Sequence, residues 1–401
     1  MILYLSRCKQ NIALGAILSP VEYMRLADVV AAEIADGRLK AGDRLPPQRT
    51  FAYERKIAVS TASRVYAELL RRGLAVGEVG RGTFVSGASP LGITAAREPG
   101  HARIDLEFNY PMVPAQFELM ARSLSELSRP ENFQTALKQA TSIGTPAFRE
   151  IAAQFLARDG WHPKPDELVF TGNGRQCVAT ALAALVPAGG RCGVEALTYP
   201  FVKTIAARLG VTLVPLAMDE DGVRPDAIEK AHREAKLSAL YLQPTIHNPL
   251  GITMPAARRK EVVRQVEKLD LVVIEDAIYG FLADEPPLAV LAPKSCMVLD
   301  GMSKRVAPGL TVGFIVSPAH LREGIVAAVR SGGWTASGYA LAAAAIMMSD
   351  GTAAQIANLK REDAKQRQRI AAKSLSGFEI SANSKSYHLW LTLPSQWRSQ
   401  D

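Results

Sequence analysis

The chain has 401 residues, more than one ordinary domain needs, and 48% of them are hydrophobic, which is ample for a large core. Its 47 lysines and arginines against 39 aspartates and glutamates give a pI of about 9.3, which suits a nucleic-acid partner better than a metabolic enzyme alone. The four cysteines include no Cys-x-x-Cys pair, so we expect neither a zinc site nor a disulfide framework, and we expect a cytoplasmic location.

Residues 1–19 precede the first regular pattern and are interpreted as an N-terminal arm. Arg7, Lys9 and Gln10 interrupt their few apolar residues. This interruption argues against a signal peptide and against a membrane span.

Residues 20–87 predict a small domain of three helices and a hairpin. Residues 21–36 form the first helix, because apolar side chains recur on one of its faces, namely Met24, Ala27, Val30, Ala31 and Ile34. A short second helix covers residues 48–55, and a third covers residues 61–72. Residues 74–85 alternate around glycines as a hairpin does. Three helices followed by a two-stranded wing make a winged helix-turn-helix.

The third helix begins, in this prediction, after Ser60 as its N-cap. It carries Arg64, Arg71 and Arg72, and arginines on a helix usually form only a solvated face. Charge favours DNA contact more strongly. Residues 1–86 hold 13 lysines and arginines against 8 aspartates and glutamates, a net charge of +5 out of +8 for the whole chain.

Four motifs in this domain resemble the GntR family of regulators. They are Gly-Arg-Leu-x-x-Gly-x-Arg-Leu-Pro at 37–46, Ser-Arg-Val-Tyr-Ala-Glu-Leu at 63–69, Arg-Arg-Gly-Leu at 71–74 and Gly-Arg-Gly-Thr-Phe-Val at 80–85. The resemblance implies that the domain binds double-stranded operator DNA. The positions that contact the operator in this family carry Arg49, Ser60, Thr61, Arg64, Arg81 and Gly82 here. Val59 stands where many relatives have an arginine, which implies weaker base reading there or a different operator.

Residues 88–103 are rich in small residues, glycine and proline, and are interpreted as a flexible linker to a second domain, residues 104–401. In this domain, strand-like apolar runs alternate with helical segments. Seven runs are found, at residues 168–170, 191–194, 213–216, 239–242, 271–274, 297–299 and 313–316. The alternation predicts an α/β domain with a mostly parallel sheet, which binds ligands at its strand ends.

Four residues of the second domain carry the side chains that pyridoxal phosphate needs. Lys304 offers an amine for a Schiff base, and Asp276 offers a carboxylate for the pyridinium nitrogen. Asn248 and Tyr279 offer an amide and a phenol for the ring oxygen. Their motifs resemble the class I/II aminotransferases, the fold type I family of pyridoxal phosphate enzymes: Thr-Ile-His-Asn-Pro-Leu-Gly (245–251), Val-Val-Ile-Glu-Asp-Ala-Ile-Tyr (272–279) and Asp-Gly-Met-Ser-Lys (300–304).

Two of these residues have simpler interpretations when taken singly. Asp276 could cap the turn that follows it, and Asn248 could belong to a plain turn before Pro249. Three motifs in order, ending at a lysine, favour the cofactor interpretation.

Residues 171–176 (Thr-Gly-Asn-Gly-Arg-Gln) lie between a predicted strand and a helix over residues 177–185. Free N–H groups at a helix start can hold a phosphate, although glycines at such turns are also common for steric reasons. By resemblance this is the phosphate-binding turn, with Gly174 and Arg175 as backbone donors. Tyr199 matches the aromatic residue that stacks on the pyridine ring, but alone it would be a half-buried loop tyrosine.

The order winged helix, linker and aminotransferase-like domain resembles the MocR subfamily of GntR regulators, over about residues 20–395. The resemblance implies a homodimer. It also implies that pyridoxal phosphate, or a small amino compound that reacts with it, is the effector.

Three departures from the family pattern reduce the expected catalysis. Gly301 stands where the family usually has serine or threonine, and Thr311 stands where it usually has an arginine for the phosphate. The chain also ends soon after residues 387–394, so the second domain is interpreted as truncated, without the usual arginine for the substrate carboxylate. Arg305, or the hydroxyl of Thr311, is an alternative that would partly replace the arginine at the phosphate.

The sequence therefore predicts a transcription regulator whose aminotransferase-like domain binds pyridoxal phosphate weakly. This domain would sense the cofactor or an amino compound rather than catalyse transamination. One alternative is a working aminotransferase with an accessory DNA-binding module. Another is a cofactor-free relic that still dimerises and binds DNA.

Overall fold

The computed structural model describes residues 20–40, 42–72, 74–78, 82–85, 109–158 and 160–392. The predicted N-terminal arm, the linker at 88–103 and Arg81 of the wing lie outside the described residues. The chain divides into two units, Met1–Glu98 and Pro99–Asp401, which are described separately.

The first unit is the predicted winged helix-turn-helix. Its elements are α1 (Pro20–Ala35), α2 (Gln48–Glu54), α3 (Val59–Arg71) and an antiparallel hairpin of β1 (Ala75–Glu78) and β2 (Gly82–Val85). Its buried core includes Ala27, Val30, Phe51, Val65 and Leu69. Burial of these side chains against one another, rather than helix propensity, stabilises helices as short as α2.

Two details of the prediction for this unit are wrong. The sequence pattern assigns Met24 to the buried face of α1, but its side chain is 42% exposed. Ser60 is not the N-cap of α3, because the helix begins at Val59 after the extended backbone of Ala58, whose carbonyl accepts the N–H groups of Thr61 and Ala62. Ser60 is therefore the second residue of the helix, and its hydroxyl is free of a capping role.

Ion pairs join α1 to the other two helices. Arg55 pairs with Glu33 at 2.9 Å, and Arg72 pairs with Glu68 at 2.8 Å and with Asp28 at 2.5 Å. The Arg72 guanidinium is thus held by two carboxylates within the unit, so we no longer count Arg72 among the candidates for DNA contact.

The second unit is built on strands and helices that alternate along the chain. Its strands are β3 (Leu168–Thr171), β4 (Arg191–Glu195), β5 (Thr212–Leu216), β6 (Met218–Asp219), β7 (Gly222–Val223), β8 (Ala239–Leu242), β9 (Val273–Asp276), β10 (Cys296–Gly301), β11 (Gly313–Val316), β12 (Ile380–Ala382) and β13 (Leu389–Leu391). Its helices are α4 (Gln116–Leu124), α5 (Pro130–Ala136), α6 (Pro146–Leu156), α7 (Gly174–Leu185), α8 (Pro200–Arg208), α9 (Pro225–Glu234), α10 (Ala256–Lys268), α11 (Met302–Arg305), α12 (Arg322–Ser331), α13 (Gly338–Ser349) and α14 (Thr352–Ser374).

Seven strands form one sheet in the order β3-β11-β10-β9-β8-β4-β5. β11 is antiparallel to both of its neighbours, and the other pairs are parallel. All seven apolar runs form strands of this sheet, so the prediction of a mostly parallel α/β sheet is confirmed. The run at 271–274 is shifted, because β9 begins at Val273 and includes Asp276 as its last residue.

Successive residues of each strand point to opposite faces, and each face has its own core. One core contains Phe170, Leu240 and Phe314, and the other contains Val169, Tyr241 and Ile315. Helices cover both faces, which explains why these strands are continuous apolar runs.

Within the described residues, no single helix is long and apolar enough to cross a membrane, and only the bent pair Gly338–Ser349 and Thr352–Ser374 passes such a test jointly. The same residues contain no group of three or more His, Cys, Asp or Glu that could hold a metal ion.

Candidate functional site

Strand ends bring the predicted cofactor residues to one edge of the sheet. β9 ends at Asp276, and β10 ends at Gly301, directly before α11, which carries Lys304. β3 ends at Thr171, and α7 begins at Gly174. This is the edge at which open α/β sheets bind ligands.

The Asp276 carboxylate is buried and accepts two hydrogen bonds. The Tyr241 hydroxyl donates to its Oδ2 at 2.5 Å, and the Ile278 N–H donates to its Oδ1 at 3.1 Å. The second bond is the turn-capping role that the sequence leaves open. Burial raises the pKa of Asp276 to about 6, although both hydrogen bonds favour the charged form. A carboxylate has about four acceptor positions, so capacity remains for a protonated ring nitrogen.

The Lys304 side chain lies among aromatic rings. Its Nζ donates to the carbonyl of Asn109, and it lies 3.9 Å from the ring centre of Tyr110 and 5.9 Å from that of Tyr279. Both rings attract a cation, but neither supplies a compensating charge.

The pKa of Lys304 is lowered to about 8, first by burial and then by the positive charges of Arg175 and Lys360, while Asp276 acts in the opposite direction. A lysine with a lowered pKa is more often neutral near physiological pH, and the neutral amine is the nucleophile. The site therefore favours attack of Lys304 on an aldehyde.

Asn109 and Tyr110 are site residues that the sequence interpretation missed. The Asn109 side-chain amide donates to the Tyr279 hydroxyl at 3.1 Å. The sequence offers the amide of Asn248 beside this phenol, and the structure places the amide of Asn109 there. Asn109 lies 170 positions before Tyr279, and neither it nor Tyr110 belongs to a motif that the sequence singles out. Only the folded chain reveals them.

Asn248 lies half-buried in the loop after β8, and among the described residues its side chain has no hydrogen-bond partner. Its neighbour His247 is tied to the site, because a ring nitrogen of His388 bonds the His247 carbonyl at 2.9 Å. The His388 ring lies 5.2 Å from the ring of Tyr279. His388 thus holds this loop beside the phenol.

The start of α7 has two unused N–H groups. Asn173 caps the helix: its side chain accepts the Gln176 N–H at 3.0 Å, and its carbonyl accepts the Cys177 N–H at 3.1 Å. A helix leaves its first four N–H groups without intrahelical partners. Of these four, the Gln176 N–H is bound by the Asn173 side chain, and within the described residues the N–H groups of the first two helical residues, Gly174 and Arg175, meet no acceptor. These are the two residues that the resemblance assigns to the phosphate.

The Arg175 side chain adds a positive charge at this helix start. Its Nε donates to the Tyr199 hydroxyl at 3.2 Å, and its guanidinium lies 3.7 Å from the ring centre of Phe201. The hydrogen bond brings Arg175 to Tyr199, and the positive charge of Arg175 lowers the pKa of Lys304.

The two departures at the phosphate have a structural context. A Cβ at Gly301 would lie 3.0 Å from the Val312 carbonyl oxygen and 3.4 Å from the end of Ile278, so a serine there requires a small shift. Thr311 is half-buried.

The alternative that Arg305 replaces the missing phosphate arginine is wrong. Arg305 is buried and binds the Asp300 carboxylate through two nitrogens, at 3.2 Å and 2.5 Å. A guanidinium nitrogen of Arg158 lies 3.7 Å from an oxygen of the same carboxylate. Arg305 balances the charge of a buried carboxylate, and Arg175 is the arginine whose charge lowers the pKa of Lys304.

The geometry fits the cofactor on two observations. Unpartnered N–H groups at the start of a twelve-residue helix suit a phosphate. A buried carboxylate with spare acceptor capacity stands on the same sheet edge as a lysine of lowered pKa. These are the groups that would hold the two ends of pyridoxal phosphate.

The predicted DNA-contacting residues lie on the first unit. Arg49 in the first turn of α2, and Ser60 and Arg64 on α3, are exposed, and Thr61 is half-buried. The Ser63 hydroxyl donates to the Gln48 side chain at 2.8 Å and ties the two helix starts together.

One further arginine lies against the wing, Arg44 of the 37–46 motif, which the sequence analysis did not assign to DNA contact. Gly82 has φ +123°, a backbone conformation that favours glycine, and a Cβ there would lie 2.8 Å from Nε of Arg44. Arg44 is exposed and forms a β-bridge with Phe84 of the wing. The absence of a side chain at Gly82 leaves room for this guanidinium.

Two family models match the chain. The model for aminotransferase class I and II matches residues 104–399, and that for bacterial regulatory proteins of the gntR family matches residues 22–85. The chain is 29% identical over 378 residues to the HTH-type transcriptional regulator YdeF of Bacillus subtilis (strain 168), covering 93% of this chain and 81% of YdeF. It is 28% identical over 360 residues to the probable rhizopine catabolism regulatory protein MocR of Rhizobium meliloti, covering 82% of this chain and 72% of MocR.

A solved structure shares the fold of the second unit. LysN, an alpha-aminoadipate aminotransferase from Thermus thermophilus complexed with N-(5'-phosphopyridoxyl)-L-leucine, has a TM-score of 0.65 to this chain at 21% identity. The match covers 73% of this chain and 77% of LysN. At this level of identity, the similarity shows the fold alone.

Proposed function

Because this chain belongs to the aminotransferase class I and II family and carries a GntR-family helix-turn-helix domain in front of that fold, we propose that it is a DNA-binding transcription regulator that senses pyridoxal phosphate, or a small amino compound reacting with it. The observation that carries the sensing part is the pair of unused N–H groups at Gly174 and Arg175 on the same sheet edge as Lys304 and Asp276.

The first unit would bind operator DNA through α3 and the wing. Exposed Arg49, Ser60 and Arg64 are available to a duplex, and Arg44 extends this surface along the wing beside Gly82. Arginines near phosphates supply affinity that falls with salt, and arginines near base edges supply specificity. Because Arg55 and Arg72 are held in ion pairs within the unit, they serve the fold rather than DNA.

The second unit would hold the cofactor with residues at both ends of the site. Lys304 would carry the Schiff-base linkage, Asp276 would accept the ring N–H, and the N–H groups of Gly174 and Arg175 would bind the phosphate. When bound, the cofactor supplies an electron-withdrawing ring that makes an attached amine reactive.

Three side chains would complete this arrangement. Tyr199 would stack on the ring, and Tyr279 and Asn248 would approach the ring oxygen. The Asn109 amide already bonds the Tyr279 phenol, so it would orient the phenol toward the same atom.

A homodimer is part of the proposal. Four large apolar side chains are exposed on or beside three helices, α4, α5 and α13, of which α13 packs against the other two. They are Phe117, Phe133, Leu137 (directly after α5) and Tyr339, at 60%, 47%, 68% and 51% exposure. Exposed apolar side chains on packed helices favour an interaction site, and a second copy of the chain is the partner that the resemblance to MocR regulators implies.

Borohydride trapping tests the cofactor part of the proposal. Pyridoxal phosphate is added to the purified protein, the linkage is reduced, and the modified peptide is mapped. We expect the label on Lys304 and none on the Lys304→Ala variant. A label on another lysine, with Lys304 untouched, would overturn the assignment.

Half-reactions with a panel of amino acids test the alternative, a working aminotransferase. We expect slow or no conversion, because Gly301 supplies no hydroxyl and Thr311 no guanidinium to the phosphate, so the cofactor is held weakly. Rapid conversion of any amino acid would make the enzyme the better description.

A further inference from the structure

Lys360 of α14 is a lysine whose side chain is completely buried, at 0% exposure. Lysines are almost never fully buried unless they are paired. Its Nζ donates to the carbonyl oxygens of Lys304 at 2.9 Å and Val306 at 2.6 Å. Among the described residues, no carboxylate lies within ion-pair distance of it. Its charge is therefore balanced by carbonyl dipoles beside the proposed cofactor lysine.

These carbonyls need an external partner because α11 is only four residues long. The last carbonyls of a helix have no intrahelical donor, and a cation at a helix end is favourable. The Val306 carbonyl also accepts the Gln116 side-chain amide at 3.3 Å. Lys360 thus fixes the backbone at and just after Lys304.

The segment 386–388 holds α14 in place around Lys360. The Tyr387 hydroxyl donates to the Lys360 carbonyl at 2.7 Å, and Gln368 on the same helix donates to the carbonyls of Ser386 and His388 at 2.9 Å and 3.0 Å. His388 in turn packs on Tyr279. Hydrogen bonds to residues 386–388 therefore fix the position of α14, and with it the position of the Lys360 ammonium at α11.

We propose that Lys360 is a positioning residue for Lys304: its buried ammonium fixes the backbone of α11 and increases the fraction of the neighbouring amine that is in its neutral, nucleophilic form. The inference rests on the proposed role of Lys304 as the cofactor lysine. It assigns Lys360 no contact with cofactor or substrate.

The charges that face Lys304 come from several elements. Arg175 on α7 and Lys360 on α14 lower its pKa, and Asp276 at the end of β9 raises it. The pKa of Lys360 is itself lowered to about 8 by burial, so it is still mostly charged at pH 7. Removing this charge should move the pKa of Lys304 upward.

Competitive acetylation of the protein without cofactor measures this effect directly. A trace of acetic anhydride is added across a range of pH, and the label on each lysine is quantified by mass spectrometry. In the wild type we expect Lys304 to label with a midpoint near pH 8. In Lys360→Met the midpoint should rise, and labelling of Lys304 at pH 7 should fall about threefold to tenfold.

Two further variants separate charge from folding. Lys360→Gln keeps N–H donors for the two carbonyls but has no charge, so it should fold and still raise the midpoint, and it decides the question if Lys360→Met does not fold. Lys365→Met is the matched control, because Lys365 lies on the same helix and pairs with Glu362 at 2.7 Å. We expect the control to leave Lys304 unchanged.

An unchanged midpoint of Lys304 in a folded Lys360→Gln protein would overturn the inference. This outcome is distinct from failure of the proposed function, since acetylation uses no pyridoxal phosphate. Failure of the wild type to form a borohydride-trapped linkage would contradict the cofactor role, whereas the acetylation midpoint alone decides whether Lys360 acts on Lys304.

Discussion

Arg175→Gln should weaken pyridoxal phosphate binding through the phosphate. The change removes the guanidinium at the start of α7 and leaves the backbone N–H groups of Gly174 and Arg175 in place. A hydrogen bond to a charged group contributes roughly 1.5–3 kcal/mol. Because Arg175 is exposed and solvent screens it, we expect the low end of this range, a loss of about tenfold in affinity.

The assay must separate the phosphate from the effect of Arg175 on Lys304. Arg175 also lowers the pKa of Lys304, so its removal reduces the neutral amine for any aldehyde. Titrations with pyridoxal phosphate and with pyridoxal, which lacks the phosphate, are therefore run in parallel. The difference between the two losses measures the phosphate contact.

The outcome is read against two further variants. Arg208→Gln removes an exposed arginine from the last turn of α8 and should change neither affinity. Thr311→Arg restores the usual family residue and should strengthen binding of pyridoxal phosphate but not of pyridoxal. Equal losses for the two aldehydes in Arg175→Gln would refute the phosphate argument and leave only an effect on Lys304.

Three other outcomes are expected. Arg49→Ala should weaken binding to the operator by ~1–3 kcal/mol if the Arg49 side chain reaches a base edge. Arg38 forms an exposed ion pair with Asp36, so the control Arg38→Ala should have little effect. Equal losses on operator and random DNA would make Arg49 a phosphate contact. Arg305→Met should lower the free energy of unfolding by about 3 kcal/mol in a denaturant titration, because it leaves the buried Asp300 carboxylate with the Gly301 N–H and, as its ionic partner, Arg158 at 3.7 Å. A change in phosphate affinity without a loss of stability would contradict the ion-pair role. Asp276→Asn should remove the negative charge for the ring nitrogen yet stabilise the fold above pH 6. The pKa of Asp276 is raised to about 6 when folded, so its charge costs stability as pH rises through that value, and the gain in thermal stability of the variant should be larger at pH 8 than at pH 4.

The architecture was predictable because its signals are local. The seven apolar runs became the seven strands of the main sheet, since strands covered on both faces must be continuously apolar. The combination of a GntR domain with an aminotransferase-like domain is confirmed, because its motifs are short, ordered and specific.

The parts of the site that the sequence did not reveal depend on distant contacts. Asn109 reaches Tyr279 across 170 residues, and no spacing rule connects them. Lys360 lies in a charged stretch of α14 that is typical of a solvent-facing helix, yet it is fully buried. Arg305 follows Lys304 in sequence but binds the Asp300 carboxylate, because a buried carboxylate must be neutralised.

Helix limits escaped prediction for a different reason. Ser60 is a favourable N-cap by residue type, but the helix begins at Val59, and the position of the cap is decided by the backbone of Ala58 rather than by the hydroxyl. Cap preferences are about 1 kcal/mol, which tertiary packing of α3 readily exceeds.

Operator binding with and without pyridoxal phosphate tests the central claim most directly. Fluorescence anisotropy would follow binding of the wild type and of Lys304→Ala to the DNA upstream of the coding sequence, at low and moderate salt. We predict salt-sensitive binding by both proteins, with an affinity that pyridoxal phosphate changes for the wild type and leaves unchanged for Lys304→Ala. Absence of binding at low salt, or the same response to pyridoxal phosphate in both proteins, would contradict the proposed sensing of the cofactor by a DNA-binding regulator.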